Sequence, residues 1–343
     1  METSSLIAAV DIGGTKIAAG IVRVEGEESA LLASSRRPTD GMERSPEAVV
    51  EDVLAQWEGL LGSLGFTPRD LTGVGVAFPG KFEAGTERIL TAPNLPPFIG
   101  RRPRCLFARA VEARWGLPLP VVADNDTCAA VLAEAHSGAG RGVDRLLYLT
   151  ISTGFGGALL VRHPPRVENL EPGLSLFPDP ERPEVPLDLL SSGVGIAREA
   201  RSALEQCLRR RDSAASGPPT RVLETVPGTS LEEKLRHLDA PHISAAAAAG
   251  DSFCTAQMVR AAHFAAEGIA RLIEAHHPQR IVVGGGVALN APGYLDQIRA
   301  LLSTRFAAPP PEQPNTDFDP QAQLVLAGLG EERGILGAAA FLR

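Results

Sequence analysis

The chain has 343 residues, 44% of them hydrophobic and 22% charged, the composition of an ordinary globular protein long enough for more than one domain. Its 41 carboxylates against 33 Lys and Arg leave a formal charge of −8, which argues against nonspecific nucleic-acid or anionic-membrane binding but not against a small phosphorylated ligand. Cys105, Cys128, Cys207 and Cys254 stand apart, with no CxxC pair and no nearby His at ligand spacing. They predict free thiols in a reducing cytoplasm, not a zinc cluster or a disulfide framework. The acidic N-terminus lacks a basic n-region and no apolar run approaches a membrane span, so a cytoplasmic location is expected. Scarce aromatics, not interleaved with basic residues, give no platform for single-stranded nucleic acid.

Near the N-terminus, Leu6-Ile7-Ala8-Ala9-Val10 and Ile17-Ala18-Ala19-Gly20-Ile21-Val22 flank Asp11-Ile12-Gly13-Gly14-Thr15-Lys16. Two proline-free apolar runs of strand length around a Gly-Gly turn predict a hairpin, not a strand feeding a helix. The glycines permit positive φ and let backbone N–H groups close around an anion, and Asp11 offers an oxygen suited to hydrated magnesium. Gly-Gly also joins many hairpins that hold nothing, so this turn alone leaves both readings open. Further on, Ser45-Pro46-Glu47 reads as an N-cap, an N1 proline and an acidic first turn. It opens an amphipathic helix whose stripe of Val49, Val50, Val53, Leu54, Trp57, Leu60, Leu61 and Leu64 puts Trp57 in the core. Gly73 to Phe78 reads as a buried strand ending at Pro79-Gly80, followed by a turn-rich loop holding Asn94-Leu95-Pro96-Pro97. A helical pattern spans 104–115, and Leu119 to Ala123 enters Asp124-Asn125-Asp126 and a helix over 127–137, giving α/β alternation.

From Arg145 the opening design recurs. Leu146 to Ile151 precedes Ser152-Thr153-Gly154-Phe155-Gly156-Gly157, and Ala158 to Val161 follows it. Two such hairpins predict a duplicated architecture whose turns face one cleft. Residues 162–186 read as a long proline-rich loop, and residues 209–229, with Arg209-Arg210-Arg211, as a surface excursion whose arginines are solvated or touch a phosphate. An alanine-rich helical stretch runs from about Ile243 to His276, with a break over Ala246 to Gly250. His276-His277 are accounted for by capping and the helix dipole. The strand Arg280 to Val283 leads directly into Gly284-Gly285-Gly286, which either lets backbone lie against a flat group such as a purine or marks a close helix-to-sheet contact. A last strand, Gln323 to Ala327, precedes a closing helix of small residues that predict close packing.

Four elements in one order, DIGGTK, ADND, TISTGFGG and IVVGGG, resemble the ROK family of sugar kinases within the actin, hexokinase and Hsp70 superfamily. The likeness runs from Ile7 to Leu342 and takes in GVGVAFPG, APNLP and LGEERGILGAAAF. It implies a two-lobed α/β actin-like (ribonuclease H-like) ATPase fold with duplicated mixed sheets and an interlobe cleft. The N-terminal lobe would take residues 1–120 and the closing helix at about 334–343, and the C-terminal lobe residues 121–333. Some members of the family are repressors with an N-terminal helix-turn-helix domain, for which the early phosphate turn leaves no room.

By the same resemblance, Gly13, Gly14, Thr15 and Lys16 contact the terminal phosphates of ATP, and Asp11 supports magnesium through water. Thr153-Gly154 holds the other side of the phosphate chain, and Gly284, Gly285 and Gly286 receive the adenosine. Asp126 is implied as catalytic base and Asn125 as sugar ligand. A carboxylate fixed at a strand end suits that role, because a sugar hydroxyl is a poor nucleophile and must lose its proton as the γ-phosphoryl group moves. Asp124, Asn125 and Asp126 equally suit a helix N-cap, and both roles can hold at once. The chain also departs from the family pattern. Where an ExGH element is common, Glu171-Pro172-Gly173-Leu174 has leucine in place of the histidine. Asp179 to Pro186 replace the cysteine cluster that binds structural zinc, and Asp188 falls where a sugar-contacting glutamate is usual. A zinc-free variant is therefore expected, with Glu171 and Asp188, and more weakly Asn94, on the sugar. The implied function is a glucokinase-like, ATP- and magnesium-dependent kinase acting on the primary (6-OH) hydroxyl of a hexose or amino sugar. The alternative is a sugar-responsive binding protein without turnover; a chaperone-type ATPase switch would need a peptide-binding extension. The expected partners are a sugar and ATP, without nucleic acid or membrane, and a homodimer is consistent with the family.

Overall fold

The computed structural model describes residues 4–26, 28–83, 85–179, 182–210, 220–307 and 317–343. The chain divides into two compact units. The first comprises Met1–Asp144, Ala158–Asn169 and Ala327–Arg343, and the second Arg145–Gly157 and Leu170–Leu326.

The first unit opens with the expected hairpin, β1 (Ser5–Ile12) and β2 (Lys16–Glu25), paired antiparallel from Ser5↔Val24 to Ile12↔Ile17. β2 continues antiparallel into β3 (Glu28–Pro38), a strand not anticipated because its Ser34-Ser35-Arg36-Arg37 stretch carries no apolar alternation. Helix α1 (Pro46–Leu64) starts where Ser45 Oγ accepts from the Ala48 N–H and stops at Gly65, whose φ of 77° admits the left-handed cap. β4 (Gly73–Phe78) lies parallel to β1, followed by the small ribbon β5 (Lys81–Phe82) and β6 (Ile89–Thr91). After α2 (Pro103–Trp115), β7 (Val121–Asn125) adds parallel to β4 and runs straight into α3 (Asp126–Ser137). The sheet order is β3-β2-β1-β4-β7. The expected boundary at residue 120 is not where the units part: β7 completes the first sheet, so residues 121–144 go with the first unit.

One face of this sheet is covered by α1 and α2. Trp57 is buried there as predicted, its ring 5.9 Å from that of Phe107, and its Nε1–H donates to the Ala9 carbonyl at 3.0 Å. Filling such positions with large apolar side chains contributes ~1.5–3 kcal/mol each. On the other face Ile7, Ala9, Ala18, Val22 and Ala77 pack with α3 and the closing helix Arg333–Ala340. Small residues make that approach possible. A Cβ at Gly75 would meet the Ala338 carbonyl oxygen at 2.0 Å, and one at Gly337 the Ala129 carbonyl oxygen at 2.0 Å.

The second half of the chain repeats the design. β8 (Arg145–Ile151), β9 (Phe155–Arg162) and β10 (Pro165–Leu170) are consecutive, and the unit boundary passes through β9. The expected long loop over 162–186 is instead β10 followed by the antiparallel ribbon β11 (Leu176–Asp179) and β12 (Arg182–Pro186). Its prolines hid it: proline lacks the N–H that a central strand needs but is tolerated in edge positions, and both strands of a two-stranded ribbon are edges. Helices α4 (Asp188–Ser191), α5 (Gly193–Arg210), α6 (Val222–Thr225), α7 (Leu231–His237), α8 (Ala240–Ala248) and α9 (Ser252–His276) follow. Of the expected excursion at 209–229, residues 211–219 lie outside the described residues, and Val222–Thr225 is helical. The break in the alanine-rich stretch falls between α8 and α9, where the Asp251 side chain caps α9. At its other end His277 takes φ 45° and donates to the Ile273 carbonyl, the capping role expected of it. β13 (Arg280–Gly284), α10 (Gly286–Asn290), α11 (Tyr294–Ala307), α12 (Pro320–Gln323) and β14 (Leu324–Leu326) complete this part, and the closing helix is α13. β13 lies parallel to both β8 and β14. The order β10-β9-β8-β13-β14 matches that of the first sheet strand for strand. Both are a three-strand meander extended on its first strand by two strands that return through helices, the duplication that the paired glycine turns imply.

Candidate active site

In the first unit the carboxylate of Asp11 sits at the C-terminal end of β1, in register with Ala77 of β4, which is in turn in register with Asp124 of β7. The turn after it is held from below. Gly13 N–H donates to the Lys16 carbonyl at 2.8 Å, Thr39 Oγ1–H to the Gly13 carbonyl at 2.7 Å, and Thr39 N–H to the Thr15 carbonyl at 3.0 Å. Thr15 and Lys16 are exposed. Neither Gly13 nor Gly14 has a positive φ, so the conformational reason expected for this pair does not apply. Space is the reason at Gly14, where a Cβ would lie 2.3 Å from that of Asn94. The APNLP loop is thereby brought against the glycine turn.

Burial raises the pKa of Asp11, opposed by the positive charges of Lys16 and Arg333. Its side chain is pressed against the start of α13, where a Cβ on Gly334 would come within 2.1 Å of Oδ2. Arg333 is in turn 3.9 Å from the fully buried Glu134 of α3. That carboxylate accepts from the Ala139, Gly328 and Leu329 N–H groups at 2.8, 3.1 and 3.1 Å. A buried anion is tolerable when it is this fully bonded, and here it fixes the segment that delivers Arg333 and Gly334 to Asp11. Lys16 also pairs at 3.2 Å with Glu331, which pairs with Arg36 at 2.9 Å. Sequence reasoning missed Thr39, Glu134 and Arg333, for which no local pattern exists; the closing LGEERG run was the one available signal.

Two strands from Asp11, β7 ends in Asp124-Asn125, and Asp126 opens α3. Asn125 is the N-cap of α3: its Oδ1 accepts from the Thr127 N–H at 2.8 Å and from Thr127 Oγ1 and Asn169 Nδ2, while its own Nδ2 donates to the Gly80 carbonyl at 2.8 Å. The N-cap expectation therefore holds for Asn125, whose side chain is largely committed to the fold. One amide hydrogen remains for another acceptor. Asp126 occupies the first turn of α3, partly buried, where the helix dipole favours an anion. Burial raises the pKa of neighbouring Asp124, against the effect of the Asn125 N–H that its Oδ1 accepts.

In the second unit, Ser152-Thr153-Gly154 closes tightly, with Ser152 N–H donating to the Gly154 carbonyl at 2.8 Å and Thr153 exposed. Asp188 lies against this turn, its Oδ1 accepting from the Phe155 N–H. Burial raises its pKa and the Phe155 N–H opposes the rise. Glu171 is exposed and leads into a 3-10 turn, Pro172–Leu174, whose Gly173 also faces Asp188. Leu174 is 62% exposed. Of the three glycines after β13, two have internal reasons: a Cβ at Gly284 would meet the Tyr148 hydroxyl at 2.5 Å, and Gly285, at φ 92°, would meet the Ile151 carbonyl at 2.4 Å. The close-contact reading thus accounts for Gly284 and Gly285. Gly286, exposed at the start of α10, would meet only ordinary contacts, the nearest being Ser152 Oγ at 3.7 Å.

Among the described residues no group of three or more His, Cys, Asp and Glu is placed to hold a metal ion, and no helix is long and apolar enough to cross a membrane. The donor chemistry of the first turn nevertheless fits magnesium nucleotide: a carboxylate whose charge is poorly solvated stands beside a half-buried glycine pair and the exposed Thr15 and Lys16, and most ligands of such an ion are phosphate and water.

The repeated five-strand order and the turn after the first strand of each sheet define an actin-like α/β ATPase fold. A ROK hexokinase from Thermus thermophilus superposes with a TM-score of 0.72, at 28% identity over 98% of this chain and 97% of that one. A ROK family glucokinase from Streptomyces griseus, solved in complex with glucose and AMPPNP, gives 0.69 at 26% identity over 98% and 99%. The chain belongs to the ROK family, whose model matches residues 7–165 and 187–343. It is also 30% identical over 338 residues to a glucokinase from Streptomyces coelicolor, covering 97% of this chain and 96% of the relative.

Proposed function

We propose that this chain, an ATP-dependent sugar kinase of the ROK family, transfers the γ-phosphoryl group of ATP to the primary hydroxyl of a hexose or amino sugar, with Asp126 as general base. The observation that carries the reading is the first unit's own arrangement. An under-solvated carboxylate, Asp11, adjoins a glycine turn with exposed Thr15 and Lys16, at the same end of the sheet as the β7–α3 junction that carries Asp126. Magnesium bound with the nucleotide neutralises charge on the transferring group. Asp11 would hold that ion through water, and Gly13, Gly14, Thr15 and Lys16 the terminal phosphates. In the second unit, Thr153 and Gly154 would hold phosphate of a nucleotide, and Gly286, with Gly284 and Gly285 beside it, the adenosine.

On the sugar side, Glu171 presents an exposed carboxylate for hydroxyl groups, Asn125 its remaining amide hydrogen, and Asn94 an amide beside Gly14. Asp126 takes the proton of the attacking hydroxyl, a contribution of about 10²–10⁴-fold. A coupled assay for ADP release across a panel of hexoses and amino sugars tests this reading. Wild type is expected to show sugar-stimulated turnover, and Asp126→Asn to lower kcat by about 10²–10⁴-fold with its melting temperature little changed. Absence of sugar-stimulated turnover in wild type overturns the kinase reading for those sugars; equal turnover in both proteins overturns the role of Asp126. A homodimer is the proposed assembly, read out by light scattering of the eluted protein.

A further inference from the structure

We propose that Asp188 is a positioning residue of the second phosphate turn: its carboxylate holds the Phe155 N–H and thereby sets the Thr153-Gly154 backbone for nucleotide. The inference rests on the proposed nucleotide role of that turn, and it replaces direct sugar contact as the main task of Asp188. The turn is bound to one short segment, 188–194, at three points. Phe155 N–H donates to Asp188 Oδ1, the Ser152 carbonyl accepts from the Gly193 N–H at 2.7 Å, and the Thr153 carbonyl accepts from the Val194 N–H at 3.3 Å.

Two glycines leave room for that carboxylate. A Cβ at Gly154 would be 3.2 Å from Oδ1, and one at Gly173 would be 3.1 Å from it. The segment is itself anchored, because Leu187 is buried against Gly268 of α9, where a Cβ would meet its Cδ2 at 2.4 Å. Asp188 cannot retreat without moving α4, and it cannot advance without striking the turn. A charged acceptor on a backbone N–H is among the stronger hydrogen bonds of a fold. Its removal leaves the Phe155 N–H unpaired in a turn whose service depends on where its backbone N–H groups point. The carboxylate also touches the 3-10 turn that follows Glu171. The segment proposed for sugar and the turn proposed for phosphate therefore meet on one side chain.

The test compares Asp188→Ala and Asp188→Asn with wild type, in full-length protein. The asparagine retains an acceptor oxygen for Phe155 and lacks the charge. Asp188→Ala is expected to weaken binding of magnesium AMPPNP, followed calorimetrically, by about tenfold or more and to raise KM for ATP in step. KM for sugar should move by less than about threefold, and hydrogen exchange over 152–157 should accelerate. Asp188→Asn should recover most of the nucleotide affinity. A sugar KM raised by both variants, with AMPPNP affinity and exchange as in wild type, overturns the proposal in favour of direct sugar contact. Wild-type protein that binds no AMPPNP overturns the nucleotide reading itself; wild type and Asp188→Ala that bind it equally overturn this inference alone.

Discussion

Asp11 shows what a binding carboxylate costs at the level of one residue. Burial lifts its pKa above the ordinary value of 3.8, so the folded chain holds the proton more tightly than the unfolded one. Ionising it therefore opposes folding. That cost is absent below the ordinary carboxylate value and complete once the pH has risen past the folded one. Asp11→Asn keeps the shape and removes the charge, so it is expected to melt higher than wild type at pH 7.5, by about 2–4 °C per kcal/mol relieved. The gap should narrow as the pH is lowered towards the ordinary carboxylate value, and the thermal shift produced by magnesium AMPPNP should vanish. A lower melting temperature for the variant at pH 7.5 would contradict this account. Stability given up at a site that needs an under-compensated charge is a general pattern.

Among the elements, the contrast between glycines is informative. Gly75 in β4 and Gly337 in α13 have backbone carbonyl oxygens at 2.0 Å from where a Cβ would stand, and backbone cannot swing aside as a side chain can. Gly62 in α1 has nothing within 4 Å. Gly75→Ala is accordingly expected to cost about 1–3 kcal/mol by overpacking. Gly62→Ala is expected to stabilise by about 0.5–1 kcal/mol, because alanine restricts the unfolded chain and suits a helix interior. Denaturant midpoints of the two variants check both signs, and the same sign for both would show that the close crossing of α13 is not what demands glycine at 75. The crossing matters for the site: α13 carries Gly334 onto Asp11, and Glu134 of α3 fixes the chain leading into it.

For the molecule as a whole, the expectation of a zinc-free protein turns on the segment before α4, and among the described residues no group of three or more His, Cys, Asp and Glu is placed to hold a metal ion. Leu174 is exposed there, and the ribbon β11–β12 spans the stretch for which the resemblance implies cysteines. The ribbon is fastened to α9 by apolar burial of Phe177, by the Arg271 guanidinium stacked 3.7 Å from its ring centroid, and by an Arg271 hydrogen bond to the Leu176 carbonyl at 3.2 Å. A zinc chelator such as 1,10-phenanthroline is therefore expected to leave the melting temperature and the sugar-stimulated rate unchanged, whereas EDTA in excess over magnesium abolishes turnover. A chelator-induced fall in melting temperature would place a structural metal in the protein.

Much of this was legible in the order of residues. Hydrophobic period and turn chemistry are local, so the two hairpins, α1 with its Ser45 cap, the strand entering Asp124-Asn125-Asp126 and the break before α9 could all be read without coordinates. The duplication followed because the same strand–turn–strand device occurs twice. What stayed hidden was set by contacts between distant segments. β3 and the β11–β12 ribbon are edge structures whose polar and proline-rich sequences carry little periodicity. The boundary after Asp144 depends on β7 pairing with β4, whose register partners lie 47 residues away, as Phe78↔Asn125 shows. Gly14 looked like a conformational glycine and proved to be a spatial one, because only packing shows that Asn94 lies against it. Asp188 is implied as a sugar ligand by the resemblance, and only the fold shows that its Oδ1 accepts from the Phe155 N–H. Sequence alone determined which chemistry-bearing groups the chain has and which strand ends carry them, since those depend on neighbours in the chain. Tertiary structure alone decided which of them are spoken for, because a side chain is committed or available according to the N–H groups, carbonyls and glycines that other segments bring within a few ångströms of it.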